Sequence, residues 1–369
     1  MPLLKSPVSQ SITDFSSAQS LEFSRWMDPV GPNKGRTIVD TYYLVAEAQA
    51  DISVATWEGE DIARMFGNIS VLQVDGQSRW NLPGDASRIA ATGLLGTERM
   101  RENADIVVAN NNAFFAVLPI PMKKPFVHTP EDLSLPADLF DKVVIQTPTT
   151  ADLSVGATFA LDTVKYYLLA DVREDLDLRL YNVDEVKMSN FKSLDEGEFS
   201  FGGKLHDMFV HARGAAGGAA LANLTDVRMN SPHLGGQTLR RDPDFLYNYR
   251  FKRRVGNAGL SAQGAEVRND PFLNGKALAV LLADDETSVW DGPISTEMVT
   301  VNMTNTVASL RAITRTIKPL SQDARSRVSA MYKKPSGVFR VATDKKSRRD
   351  LDKWPPHLHP YLPMKADLF

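Results

Sequence analysis

At 369 residues the chain is long enough for two domains of roughly 150 residues each, and with 43% hydrophobic and 24% charged residues it has globular composition rather than that of a disordered chain. Its 42 Lys and Arg against 45 Asp and Glu leave a net charge of -3, which excludes a surface that attracts nucleic acid everywhere. Cysteine is absent, so disulfides, thiolate zinc sites and cysteine nucleophiles are excluded together, as fits folding in a reducing cytoplasm.

The start, MPLLKSPVSQSITDFSS, lacks the basic opening and apolar core of a signal peptide. The longest apolar stretch, Ala113 to Met122, is ten residues with two prolines, short of the roughly 20 a membrane helix needs. The expectation is a soluble chain that stays where it is made. Residues 1–36 read as an N-terminal arm. Ile12, Phe15, Leu21, Phe23 and Trp26 allow a short amphipathic helix, broken by Pro29, Gly31 and Pro32.

From Arg36 the signal turns to β. Thr37 to Ser53 is rich in Thr, Val, Ile and Tyr, and Phe66 to Leu82 predicts a hairpin with its turn at Asp75-Gly76. Asp85 to Leu95 predicts one helix, with Asp85 as N-cap and Ile89, Ala90 and Leu94 on one face. Further short strands follow at Ile106–Val108, Phe114–Ile120, Val143–Ile145, Thr158–Leu161 and Val164–Leu169, separated by prolines at 119, 121, 125, 130, 136 and 148. Short strands with Pro-rich connections point to a β-sandwich or barrel rather than a βαβ sheet.

A polar stretch, Tyr181 to Glu196, precedes a second β block at Glu198–Ala212 and Leu224–Leu239. A helix candidate follows at Asp244–Lys252, then strands at Lys276–Ala283, Glu297–Met303 and Val307–Thr316. The block repeats the first one. Asn68-Ile69-Ser70-Val71, a turn, Gln77, Arg79 and a helix have a counterpart 155 residues later in Asn223-Leu224-Thr225-Asp226-Val227, Gly235-Gly236, Gln237, Arg240 and a helix. Phe114–Leu118 corresponds in the same way to Ala277–Leu281. Between Arg311 and Lys353 there are 13 Lys and Arg against 4 Asp and Glu, a local charge of +9, which leaves -12 on the remainder and suggests an anionic neighbour. Trp354 to Pro363 is too proline-rich for helix or central strand and reads as extended.

Motifs for chemistry are sparse. No GxGxxG, GxxxxGK[ST], GxSxG or HExxH pattern occurs. Of the histidines, His128, His206, His211, His233, His357 and His359, the pair His206/His211 falls on opposite faces of a strand, and His357/His359 has no further ligand nearby. Asp284, Asp285 and Glu286 form the densest acidic cluster but lack EF-hand spacing. Gly214 to Ala220 reads as a mobile loop, since no Lys-Ser/Thr follows it. Phe114-Phe115 and Tyr166-Tyr167 read as core or subunit-interface residues rather than a stacking platform. No catalytic, cofactor-binding or metal site is assigned, and no enzyme activity or small-molecule substrate is expected.

FGNISVLQVDGQSRWNLPGDASRIAATGLLG (66–96), AFFAVLPIPM (113–122) and HTPEDLSLPADLF (128–140), in that order, resemble the first half of the double jelly-roll major capsid proteins of tailless icosahedral double-stranded DNA viruses. That group includes tectivirus-like and corticovirus-like bacteriophages and, more distantly, adenovirus hexon. KLHDMFVHARG (204–214), ANLTDVRMN (222–230) and DGPISTEMVTVNM (291–303) are similar to the second roll. The resemblance implies an all-β fold of two tandem eight-stranded jelly rolls with short helices in the loops. The division it implies is an arm at 1–36, a first roll at 37–182, a linker at 183–193, a second roll at 194–318 and a basic C-terminal extension at 319–369.

In function it implies a homotrimeric, pseudo-hexameric capsomer of a virion, made in the host cytoplasm. Its partners would be copies of itself, penton and other minor capsid proteins, and genome or an internal membrane at the basic segment. Two other readings stay open: a carbohydrate-binding or carbohydrate-active jelly roll, and a non-capsid virion component such as a spike base.

Overall fold

The computed structural model describes residues 3–6, 9–24, 37–52, 59–95, 101–102, 109–122, 135–136, 139–153, 159–174, 182–190, 196–199, 204–213, 224–230, 238–241, 272, 277–282, 297–303 and 309–326. All of them belong to one unit, Met1–Val328; Ser329–Phe369 form a second. Among the described residues no helix is long and apolar enough to cross a membrane.

The first half contributes β1 (Leu3–Lys5), β2 (Gln10–Ile12), β3 (Ser20–Ser24), β4 (Thr37–Ile52), β5 (Asn68–Gln73), β6 (Ser78–Pro83), β7 (Arg101–Glu102), β8 (Ala109–Pro121), β9 (Leu135–Pro136), β10 (Phe140–Gln146) and β11 (Phe159–Glu174), with helices α1 (Gly59–Arg64), α2 (Gly84–Leu95) and α3 (Thr150–Leu153). The second half contributes β12 (Asn182–Asn190), β13 (Glu196–Phe199), β14 (Lys204–Arg213), β15 (Leu224–Asn230), β16 (Thr238–Arg241), β17 (Ala277–Leu282), β18 (Glu297–Met303) and β19 (Ser309–Pro319).

The strand order is the same in both halves. In the first, one sheet runs β1/β2-β11-β4-β8, with short β7 added beyond β8 and short β9 against β4, and its partner runs β3-β10-β5-β6. In the second, β12-β19-β14-β17 and β13-β18-β15-β16 repeat those orders strand for strand. Every pairing within these four sets is antiparallel. Each half therefore carries the eight strand positions of a jelly roll, in two sheets whose main strands number four each. The sequence correspondences fall on equivalent strands, β5 with β15, β6 with β16 and β8 with β17. The helix expected at Asp244–Lys252 and the strand at Ile106–Val108 lie outside the described residues.

Alternation along each strand builds the first core. Tyr42, Leu44, Ala46 and Ala48 of β4 are buried, as are Phe114, Ala116, Leu118 and Ile120 of β8 and Val164, Tyr166, Leu168 and Ala170 of β11. Register sets Ala46 between Tyr166 and Ala116, so a small residue makes room for a large one. The facing sheet supplies the rows Phe23–Val143–Val71–Trp80 and Leu21–Ile145–Ile69–Leu82. Its β5–β6 hairpin turns where expected: Gly76 takes a φ of +79°, and the Asp75 carboxylate accepts from the Gln77 N–H at 3.1 Å.

Several expectations are corrected. Residues 1–36 are not simply an arm. β1 and β2 pair with β11, and β3 pairs with β10. Leu21 and Phe23, placed on a helix by the sequence, alternate exposed–buried along β3, because period two matches the open edge they fill. The proposed linker 183–193 is largely β12, paired along its length with β19. The strands expected at Thr158–Leu161 and Val164–Leu169 are, from Phe159 on, one continuous strand, β11. Helix α2 starts at Gly84, so Asp85 sits in its first turn rather than ahead of it.

Candidate assembly surface

The rolls meet edge to edge. β6, last strand of one sheet of the first roll, pairs in parallel with β12, first strand of a sheet of the second, through Val186 with Trp80 and Lys187 with Asn81. The two form one eight-stranded sheet, β17-β14-β19-β12-β6-β5-β10-β3. Parallel pairing stands both rolls the same way up. Two rolls of one hand, joined this way, close their sandwiches on opposite faces of the shared sheet. The row Phe23–Val143–Val71–Trp80, core in the first roll, continues through Val186 and Arg315 to Asp207. Past β12 this is the outer face of the second roll.

Helix α2 covers that face. Ile89, Ala90 and Leu94 are buried as the one-sided pattern predicts, but so are Ala86, Ser87, Arg88, Ala91 and Thr92. A helix buried on every side is held between layers: Trp80 Nε1 donates to Ser87 Oγ at 3.0 Å on the first roll's side. On the second roll's side Gly93 lies against the Phe209 ring, where a Cβ would fall 2.4 Å from a ring carbon. The Phe209 ring also meets Phe272 edge-on, centroids 5.8 Å apart.

Charges are buried with it. Arg311 Nη1 donates to Asp85 Oδ2 at 3.1 Å, and Arg315 Nη1 reaches Asp207 Oδ2 at 3.5 Å with both side chains almost fully buried. His211 is buried beside them. Burial alone would raise the Asp85 pKa. His211, Arg311, the Ala86 N–H and Arg64 outweigh it and hold the carboxyl below its usual 3.8. Ser321 Oγ, just beyond β19, donates to Asp75 Oδ2 at 2.6 Å, tying the end of the second roll to the first roll's hairpin.

Sequence reasoning missed this junction, although a signal was present. Asp207, Phe209 and His211 share a face of β14, Arg311, Ile313 and Arg315 share one of β19, and opposite charges of like parity on paired strands mark a covered face. The basic segment at 311–353 is corrected accordingly. Arg311, Arg315 and Lys318 belong to β19 and pair with Asp85, Asp207 and Glu185, so three of its 13 cations are neutralised inside the fold.

The remaining singled-out residues separate cleanly. Phe114 and Tyr166 are core, and the Tyr166 hydroxyl donates to the Met65 carbonyl. Phe115 and Tyr167 point out of the same sheet. Phe115 is 46% exposed and is the one exposed large hydrophobic side chain among the described residues. Lys5 sits 4.1 Å over the Tyr167 ring, and Lys165 and Glu47 form an exposed pair at 3.8 Å beside them. His206 falls at the register shift between Leu205 and Asp207, where simple alternation does not carry across to His211. Its side chain, His128, His233, His357, His359, Gly214 to Ala220 and the Asp284-Asp285-Glu286 cluster lie outside the described residues. Among the described residues no group of three or more His, Asp or Glu is placed to hold a metal ion.

No family model and no curated protein sequence matches the chain. Solved structures do. The major capsid protein of Sulfolobus turreted icosahedral virus matches with a TM-score of 0.57 at 8% identity, over 87% of this chain and 97% of that one. The major capsid protein P2 of bacteriophage PM2 matches with a TM-score of 0.51 at 10% identity, over 88% of this chain and 99% of that one. The shared fold is the double jelly roll. At such identities the likeness lies in topology rather than in residues, and the double jelly roll here rests equally on the strand orders repeated between its halves.

Proposed function

We propose that this protein is a major capsid protein whose homotrimer forms a pseudo-hexagonal capsomer of an icosahedral virion. The observation that carries the reading is the duplicated roll with its edge-to-edge internal junction. Two like units in one chain turn three chains into six similar units, and six neighbours suit a closed lattice. The likeness to two viral capsid proteins over nearly their whole length supports the same role. The role is structural rather than catalytic, and the chain would be made in the host cytoplasm and end in the virion. The rolls divide at about 3–174 and 182–319, with the basic extension beyond.

The partners are further copies of the chain, then penton and other minor capsid proteins. The extension from Ser329 to Lys353 keeps eight Lys and Arg against three Asp. It is the part we assign to an anionic neighbour, genome or an internal membrane, since attraction at short range needs only sign and proximity. Electron microscopy and sedimentation of the expressed protein test the reading. Trimers near three times 40.8 kDa that tile hexagonally or close into shells are expected, and a protein that stays monomeric at high concentration overturns it.

A further inference from the structure

The interior of the first roll turns polar at its β5–β6 end. Along β5 the buried positions are Ile69, Val71 and Gln73, so strand alternation carries a side-chain amide to where a third aliphatic residue would fit. The same residue closes the turn: its N–H donates to the Gln77 carbonyl at 2.9 Å, and its carbonyl accepts from the Gly76 N–H at 2.9 Å. Register places Phe140 opposite Gln73, and the Phe140 ring lies 5.3 Å, centroid to centroid, from that of Tyr42 in the facing sheet. Arg79 sits at the irregularity in the β5–β6 pairing. Its Nη2 crosses to the Met122 carbonyl at 3.5 Å, and the Met122 N–H donates to the carbonyl of Asp40, two residues before Tyr42. Tyr42, Gln73 and Arg79, drawn from both sheets, thus gather at one end of the sandwich, each 2% exposed or less.

Two of these side chains need something more. The Tyr42 hydroxyl and both Oε1 and Nε2 of Gln73 are buried with no hydrogen-bond partner among the described residues. Burial keeps the Tyr42 hydroxyl protonated, well above its usual 10.0, although the Arg79 charge pulls the other way. Buried polar groups that the protein leaves unmatched are satisfied by ordered water. An anion could accept from the hydroxyl and from Nε2, but it offers nothing to Oε1. A water molecule, with two hydrogens and two lone pairs, matches a hydroxyl, an amide carbonyl and an amide N–H together. We infer that Tyr42 and Gln73 bind a shared internal water between the sheets of the first roll, beside the Arg79 guanidinium. The inference is independent of the assembly reading. Such a water joins β4 to β5 directly beneath the turn whose Asp75 accepts from Ser321 of the second half.

Tyr42→Phe and Gln73→Met nearly keep side-chain volume and remove the hydrogen-bonding groups. In the full-length chain each is expected to lower the melting temperature by about 2 °C. The double variant should lose less than the sum, because the two side chains share one water. A high-resolution crystal structure of the wild-type protein should show a density peak within hydrogen-bond distance of Tyr42 Oη and the Gln73 amide. A melting temperature that stays level or rises in either single variant means that the group removed was unsatisfied in the folded protein, and overturns the inference. Additive losses overturn it as well, as does a map in which Tyr42 and Gln73 bond to each other with no peak between them.

Discussion

At the scale of single residues, the junction depends on charges that left water only because partners wait for them. Asp207 is fully buried against Arg315. Asp207→Ala removes the carboxylate facing a buried guanidinium and is expected to cost about 3–5 kcal/mol, while Asp207→Leu with Arg315→Met restores most of it, since a buried pair often gains little over an apolar one. Urea melts of the single and double variants check this. Asp85 gives a pH signature. Its folded pKa lies below its unfolded value near 3.8, so its contribution is complete above that value and drains away as pH falls through the folded one. Asp85→Asn should be less stable at neutral pH and show a shallower acid limb below about pH 4, read from melting temperature against pH. At Gly93, Gly93→Val drives methyls into the Phe209 ring and is expected to lose about 1–3 kcal/mol by overpacking, with no change in the first roll's hairpin.

At the scale of elements, what was legible follows where the local pattern and the final environment agree. The β5–β6 hairpin and β8 were readable because the local pattern and one-sided burial agree there, and β18 because its own composition already reads as a strand. β12 was not, because among its described side chains, 185–189, only Val186 is deeply buried, and its Glu185 and Lys187 belong with Lys318 in a charge cluster. Long-range pairing with β19 and β6, rather than its own composition, makes it a strand. β3 was misread for a related reason: five residues with two apolar positions fit either period until a partner strand decides. α2 was located, but its all-round burial needed knowledge of a second layer contributed from beyond residue 200.

At the scale of the whole molecule, the position of β19 decides how the C-terminal charge is tested. β19 lies between β14 and β12 in the shared sheet, so truncation at Arg311 removes a central strand and should yield unfolded protein. Truncation after Val328, where the chain divides, should leave folded trimers with an unchanged melting temperature that fail to close shells at physiological salt. Normal shells from that truncation would remove the extension from the assembly account.

The parallel pairing of β6 with β12 has a mechanical meaning. Hydrogen bonds run along a sheet without a hinge, and Asp85–Arg311 and Asp75–Ser321 add two further ties between the rolls. Within one polypeptide the two rolls thus act as a single stiff plank and resist folding along their midline. Any curved surface assembled from such planks must bend at the joints between chains. Strain from swelling or from a change of radius then gathers at non-covalent contacts that can slip and reseat, and spares the core of each subunit.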